Sequence, residues 1–307
     1  MQRFIIDTDP GTDDAIALMM ALRHAQVQVE AITTVAGNVP VEQATANALY
    51  IAELCGAEVP VYQGTDRPVL RPPAFAHDVH GQDGLGDLER EPPRGQPQLA
   101  HAVDALIRYA LAAPGEITLV ALGPLTNVAL ALRREPALAA ALRRLVVMGG
   151  AVNTLGNVTP SAEFNIWTDP EAARMVFHAG APVTMVGLEL MWGDLLLGVE
   201  EIDRLRASGS PLAAFAVDCN HRVRDLLQKL LGEPVMALPD PIAIAVAIDP
   251  GLCRTESLYV TVETTSELTR GETVVDRWGV LGQPPNVQVC FDPDAARFKR
   301  LLFDTLT

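Results

Sequence analysis

Two rhythms of apolar and polar positions alternate along this chain. Compact apolar runs read as strands covered on both faces, and stretches with an apolar residue every three or four positions read as helices packed by one side. Phe4–Ile6 is a strand on this reading and Asp14–Arg23 a helix, followed by the pair Glu30–Val35 and Val41–Cys55. A short strand lies near Val59–Tyr62. Arg67–Gln98, rich in Pro and Gly, reads as a long loop of the kind that forms lids or binding loops. Leu99–Ala112 then reads as a helix, Ile117–Leu122 as a strand, Leu125–Arg134 as a helix and Leu145–Met148 as a strand ending in Gly149-Gly150. Asp169-Pro170 opens a further helix, because Asp caps, Pro suits the first turn and Glu171 falls near the positive end. Val183–Gly187, Leu258–Val262 and Val287–Phe291 complete the strands. Val199–Leu231 is mostly helical, Pro241–Ile248 begins another helix, and Pro293–Leu306 closes the chain.

Strand–helix alternation with no break in composition predicts one α/β domain, residues 1–307, with a mainly parallel central sheet flanked by helices. In such sheets ligands bind beyond the carboxyl ends of the strands, so polar residues just after apolar runs are the ones to inspect.

Composition narrows the function. Hydrophobic residues make up 49% and charged residues only 20%, which supports a large core; aromatics are 5%, so that core is aliphatic, as parallel strands require. The net charge of −15 opposes binding to nucleic acid or anionic membrane over the general surface and does not exclude small substrates. Cys55, Cys219, Cys253 and Cys290 form no Cys-x-x-Cys pair and read as free thiols. The chain enters its first strand without a targeting pattern, and its densest apolar run, around Ala243–Ile248, is too short to span a bilayer. A cytoplasmic protein is expected.

The sharpest chemical signal is Asp7-Thr8-Asp9-Pro10-Gly11-Thr12-Asp13-Asp14, four carboxylates within eight residues at the end of an apolar strand. Asp7 and Asp9 are two apart, so an extended backbone sends both to one side. Pro10-Gly11 turns the chain, and Asp13 and Asp14 return at a helix start, where the dipole favours negative charge. A capping role accounts for one or two of these groups. Four together fit a hard divalent cation better, and calcium takes several oxygen ligands in flexible geometry.

At Asp7–Ala15 the sequence resembles the signature of the inosine–uridine-preferring nucleoside hydrolase family. The resemblance continues in order through Ile32-Thr33-Thr34-Val35-Ala36-Gly37-Asn38, Gly123-Pro124-Leu125-Thr126-Asn127, Val147-Met148-Gly149-Gly150, Glu163-Phe164-Asn165, Asp169-Pro170-Glu171-Ala172-Ala173 and Asp240-Pro241. It implies a nucleoside hydrolase-like fold and calcium-dependent hydrolysis of the N-glycosidic bond of ribonucleosides. By resemblance, Asp9, Asp14, Asp240 and the carbonyl of Leu122 hold calcium, Asp9 is also the general base, and Asp13 meets the ribose 2′-hydroxyl. Asp7 steadies the loop. Asn38, Asn157, Glu163 and Asn165 are similar to the family's sugar-binding residues, while for Asn127 a turn or cap role is the plainer reading. A homodimer or homotetramer is implied as well.

The sequence departs from the family in one place. Many members have His immediately before the last aspartate ligand, where it protonates the departing base; here Pro239 stands there. His80, in Val79-His80-Gly81, is the first candidate to replace it, ahead of His221, Arg222 and Arg224. Trp167, Trp192 and Trp278 could stack on a base, although packing is their commoner use. The departure keeps two alternatives in view, a nucleoside-binding protein with little turnover and an N-ribosyl hydrolase for a modified base. A phosphatase of the haloacid-dehalogenase type, suggested by Asp7-Thr8-Asp9, is weaker, since Asp13 and Asp14 have no task in it.

Overall fold

A computed structural model describes all residues, 1–307. Nine strands form one sheet: β1 (Gln2–Thr8), β2 (Val27–Thr34), β3 (Val61–Gln63), β4 (Ile117–Ala121), β5 (Arg144–Met148), β6 (Val183–Val186), β7 (Arg254–Val262), β8 (Thr273–Asp276) and β9 (Val287–Phe291). Their order is β3-β2-β1-β4-β5-β6-β9-β7-β8. Every pairing from β3 through to β9 is parallel, and β7 and β8 add an antiparallel edge. The α/β class and the mainly parallel sheet are therefore as the sequence predicts.

Side-chain alternation along the strands builds two cores. Phe4 and Ile6 of β1 face one of them, with the helices Thr12–Arg23, Pro239–Ile248 and Ala295–Leu306; Ile5 faces the other, with Ala102–Ala112, Thr126–Arg134 and Pro170–Phe177. Helix Pro239–Ile248 is buried from Asp240 onward, which explains its unbroken apolar run Pro241–Ile248. No helix is long and apolar enough to cross a membrane.

The chain leaves β1 toward β2 and β3 on one side and resumes with β4, β5 and β6 on the other. The order thus reverses between β1 and β4, and the crevice beyond their carboxyl ends is where a ligand binds in such sheets. Asp7 pairs in register with Thr33 of β2 and Ala121 of β4, so the acidic segment emerges at that switch point.

Several elements differ from expectation. β1 runs to Thr8, which makes Asp7 part of the sheet, and its helix starts at Thr12 rather than Asp14. The long loop contains a short helix, His77–His80, and touches the sheet where Gln98 bridges to Tyr62. Leu99 is exposed, and the helix after it begins at Ala102, capped by His101. The 199–231 stretch is three helices, Val199–Ala207, Pro211–Cys219 and His221–Leu231. Helices Ala137–Ala141 and Phe164–Thr168 and strand β8 were not foreseen, because four or five residues are too few to display a period. The last apolar helix starts at Pro239, not Pro241: proline occupies its first turn, where a missing N–H costs nothing.

Candidate active site

Three chain segments converge at the switch point. Asp9 follows β1, Asp13 and Asp14 sit in the first turn of helix Thr12–Arg23, and Asp240 sits in the first turn of helix Pro239–Ile248. Asp13, Asp14 and Asp240 bring carboxylate oxygens within 4.8 Å of one another. Two helix N-termini, each a positive dipole end, therefore face one acidic cluster.

Each carboxylate is held differently. Asp14 accepts hydrogen bonds from the Thr8 hydroxyl at 2.5 Å, the Gly11 N–H at 2.9 Å and the Asn38 amide at 3.1 Å. Oδ2 of Asp9 accepts the Asn38 N–H at 2.5 Å, while its Oδ1 is buried with no partner. Asp13 keeps partial solvent access. Burial raises Asp9, Asp14 and Asp240 above the ordinary carboxylate range, and their mutual repulsion adds to it; Asp13 is pushed up to about 6, chiefly by burial. No ion pair of the protein reaches Asp7, Asp9, Asp13, Asp14 or Asp240. Buried charge without a basic partner is costly. The orphaned Oδ1 and the oxygen-only donor set fit a hard divalent cation. The resemblance implies Asp9, Asp14, Asp240 and the Leu122 carbonyl as metal ligands; the tight cluster holds Asp13 with Asp14 and Asp240.

Two glycines create the space for Asp9. A Cβ on Gly37 would lie 2.0 Å from Asp9 Oδ2, and one on Gly123 would lie 2.4 Å from Oδ1. Gly37→Ala or Gly123→Ala must displace the carboxylate, and a shift of about 1 Å can cost about 100-fold in rate. A kcat reduced to that degree, with an unchanged circular dichroism spectrum, is expected; a change confined to KM would contradict it.

Asp7 lies outside the cluster. Its Oδ1 accepts from the Thr33 hydroxyl at 2.5 Å and the Asn127 amide at 2.8 Å, yet burial still pushes it up to about 7. Asn127 also donates to the Thr34 carbonyl at 2.9 Å and accepts from Thr65 N–H at 3.0 Å. It is a buried cross-link between β1, β2 and the loop after β3, not a turn or cap. Thr33 was visible in the sequence as a polar residue in an apolar strand; only the β1–β2 register places it beside Asp7.

The proposed sugar residues divide. Asn38 is at the cluster through its contacts to Asp9 and Asp14. The Asn165 amide donates to the Leu122 carbonyl at 2.6 Å, so both border the crevice end of β4. Glu163 caps helix Phe164–Thr168, accepting from the N–H groups of Asn165, Ile166 and Gly150, and burial holds it at about 7. Asn157 lies on the exposed loop before that helix and accepts from the Phe164 N–H at 2.9 Å.

His80 reaches the start of helix Thr12–Arg23. Its Nδ1 accepts from the Thr12 N–H at 3.2 Å and lies 2.9 Å from the Thr12 hydroxyl. An N–H can only donate, so Nδ1 is the acceptor and the ring proton sits on Nε2. Burial lowers His80 to about 4 despite the nearby Asp14, which makes it a neutral hydrogen-bond donor at physiological pH. Arg222 is paired with Asp87 at 2.9 Å, and His221 contacts the Asp218 carbonyl at 3.1 Å. Arg224 has a buried Nε without a partner. Trp167 lies under Arg270, and Trp192 and Trp278 are 39% and 92% exposed.

Residues 4–300 match the profile of the inosine-uridine preferring nucleoside hydrolase family. The chain belongs to that family. It is 40% identical over 291 residues to the pyrimidine-specific ribonucleoside hydrolase RihB of Escherichia coli, covering 94% of this chain and 91% of that protein. Among solved structures, the plant nucleoside hydrolase PpNRh1 superposes with a TM-score of 0.95 at 33% identity, covering 100% of this chain and 99% of that one. A purine-preferring ribonucleoside hydrolase from Gardnerella vaginalis gives 0.92 at 32% identity, with 99% and 98% covered. Nucleoside hydrolases are N-glycosyl hydrolases, and membership sets aside the phosphatase alternative.

Proposed function

We propose that this protein hydrolyses the N-glycosidic bond of ribonucleosides to free base and ribose, in a calcium-dependent reaction. The observation that carries the reading is the buried, unpartnered Oδ1 of Asp9 beside three further carboxylates without a basic partner. Asp14, Asp240, Asp9 and the Leu122 carbonyl would hold calcium, with Asp13 at its edge. Bound there, calcium supplies Lewis acidity that acidifies a water and anchors sugar hydroxyls.

The chain's own residues do the rest. Asp9 accepts a proton from the attacking water. Asp13, the most accessible of the cluster, accepts from the ribose 2′-hydroxyl, and Asn38, Asn157, Glu163 and Asn165 bind the remaining hydroxyls. As the base departs, positive charge grows on the ribosyl ring, and the ring of carboxylates favours it electrostatically. The Nε2–H of His80 hydrogen-bonds the departing base in place of the histidine that Pro239 displaces. The 40% identity to a pyrimidine-specific enzyme favours uridine and cytidine as substrates. The same reading makes the protein a cytoplasmic homodimer or homotetramer, in keeping with four free cysteines.

Chromatographic detection of free base from a panel of purine and pyrimidine ribonucleosides, with calcium and with chelator, tests this. Release of uracil and cytosine with calcium and its loss with chelator are expected. Tight nucleoside binding with no base released over long incubation would establish the binding-protein alternative instead.

A further inference from the structure

We infer that Thr12 is a positioning residue for His80, setting the tautomer and aim of its imidazole toward the departing base. The inference rests on the proposal that His80 faces the base. Thr12 is fully buried and is the first residue of its helix, so its N–H has no partner within the helix. His80 Nδ1 supplies that partner, and the Thr12 hydroxyl offers a second, shorter contact to the same nitrogen. Both can be donors to Nδ1 only when the ring proton is on Nε2. Gly11 leaves room for the ring: a Cβ there would lie 3.0 Å from Nδ1.

Thr12 is itself immobilised from the opposite side. Its carbonyl accepts from the Asn220 amide at 3.2 Å, and Asn220 is 1% exposed at the junction between helices Pro211–Cys219 and His221–Leu231. The imidazole is thus referenced to the residue that directly precedes Asp13 and Asp14. In the reaction the C1′–N bond breaks with its electron pair on the base, and the water oxygen bonds C1′ as Asp9 takes the proton. The Nε2–H of His80 stabilises the charge on the base until solvent protonates it. No net change occurs at His80, and only its direction matters.

The test compares Thr12→Val, Thr12→Ser, His80→Ala and the Thr12→Val/His80→Ala double variant on uridine and on 4-nitrophenyl β-D-riboside. The nitrophenolate leaves without help. Thr12→Val should lower kcat for uridine about tenfold, as loss of one hydrogen bond does, with KM nearly unchanged and the nitrophenyl riboside unaffected. Thr12→Ser should stay within about twofold of wild type, because it keeps the hydroxyl. In the His80→Ala background Thr12→Val should add nothing. Equal losses on both substrates, or additive losses in the double variant, would overturn the inference. If His80→Ala slows uridine and Thr12→Val does not, the Thr12 role fails while the His80 role stands; if His80→Ala slows neither substrate, both fail. Nitrogen-15 correlation spectra give a readout independent of turnover. The His80 signals, identified among six histidines by their loss in His80→Ala, should show the Nε2–H form in wild type, and the Nδ1 resonance should move in Thr12→Val, which loses the hydroxyl contact and keeps the backbone N–H. A proton on Nδ1 in wild type would overturn the inference whatever the enzyme does with uridine.

Discussion

Asp9→Ala should lower kcat for base release by at least about 1,000-fold, the upper part of the range for removing a general base and a transition-state charge together. The size follows from what Asp9 does at one place. Its Oδ2 is held by the Asn38 N–H at 2.5 Å and its Oδ1 is buried and unpartnered, leaving one oxygen oriented and one available. Gly37 and Gly123 lie so close to the group that a Cβ on either would clash with its carboxylate. The isosteric Asp9→Asn should lose activity to a similar degree, since an amide takes no proton from water. Stability should move the other way. Burial and Asp14 raise Asp9, so removing its charge relieves repulsion, and Asp9→Asn in chelator should melt no lower than wild type. Activity and Tm that fell together would mean a structural role, and retained turnover would dismiss Asp9 as the base.

The second large effect concerns pH and calcium jointly. Burial pushes Asp7 and Glu163 up to about 7 and Asp13 up to about 6, from ordinary values of 3.8, 4.5 and 3.8. A carboxylate raised by folding binds its proton more tightly in the native state, so stability falls as pH rises from the unfolded value through the folded one. Each pH unit of that gap is worth about 1.4 kcal/mol per group. In chelator, Tm should therefore decline between about pH 4.5 and pH 7. Burial and mutual repulsion also raise the proposed calcium ligands Asp9, Asp14 and Asp240, which calcium needs deprotonated, so protons compete with it. At 100 times its Kd it contributes about 2.7 kcal/mol, or roughly 5 °C in Tm, at pH 8 and little at pH 5. Calorimetry across this range with calcium and with chelator checks both slopes. A Tm in chelator that rose with pH, or a calcium effect that was the same at pH 5 and pH 8, would contradict this account of the cluster.

Much of the molecule was legible in the residue pattern. Compact apolar runs marked β1, β4, β5, β6 and β9 because central strands buried on both faces carry few polar positions. Asp7–Asp14 announced an acidic site because repulsion among four carboxylates has to be compensated. Short elements escaped: helix Phe164–Thr168 spans five residues, and its start is recognisable only once the Glu163 carboxylate is seen capping it. Pro239 misled the reading of its helix by two residues, since its place in the first turn depends on where the chain arrives from.

The sequence by itself determined the α/β class, the family and the chemical type of the site, because these follow from side-chain period and from ordered motifs along one dimension. The tertiary structure decided which carboxylates share one space. Asp13 stands with Asp14 and Asp240 because two helix N-termini meet there, 226 residues apart in the chain between Asp14 and Asp240. It decided also that Asn127 is a buried cross-link and that His80 Nδ1 meets the N–H and hydroxyl of Thr12. Those facts are set by sheet order, register and desolvation, and each depends on residues that are distant in sequence and adjacent only after folding.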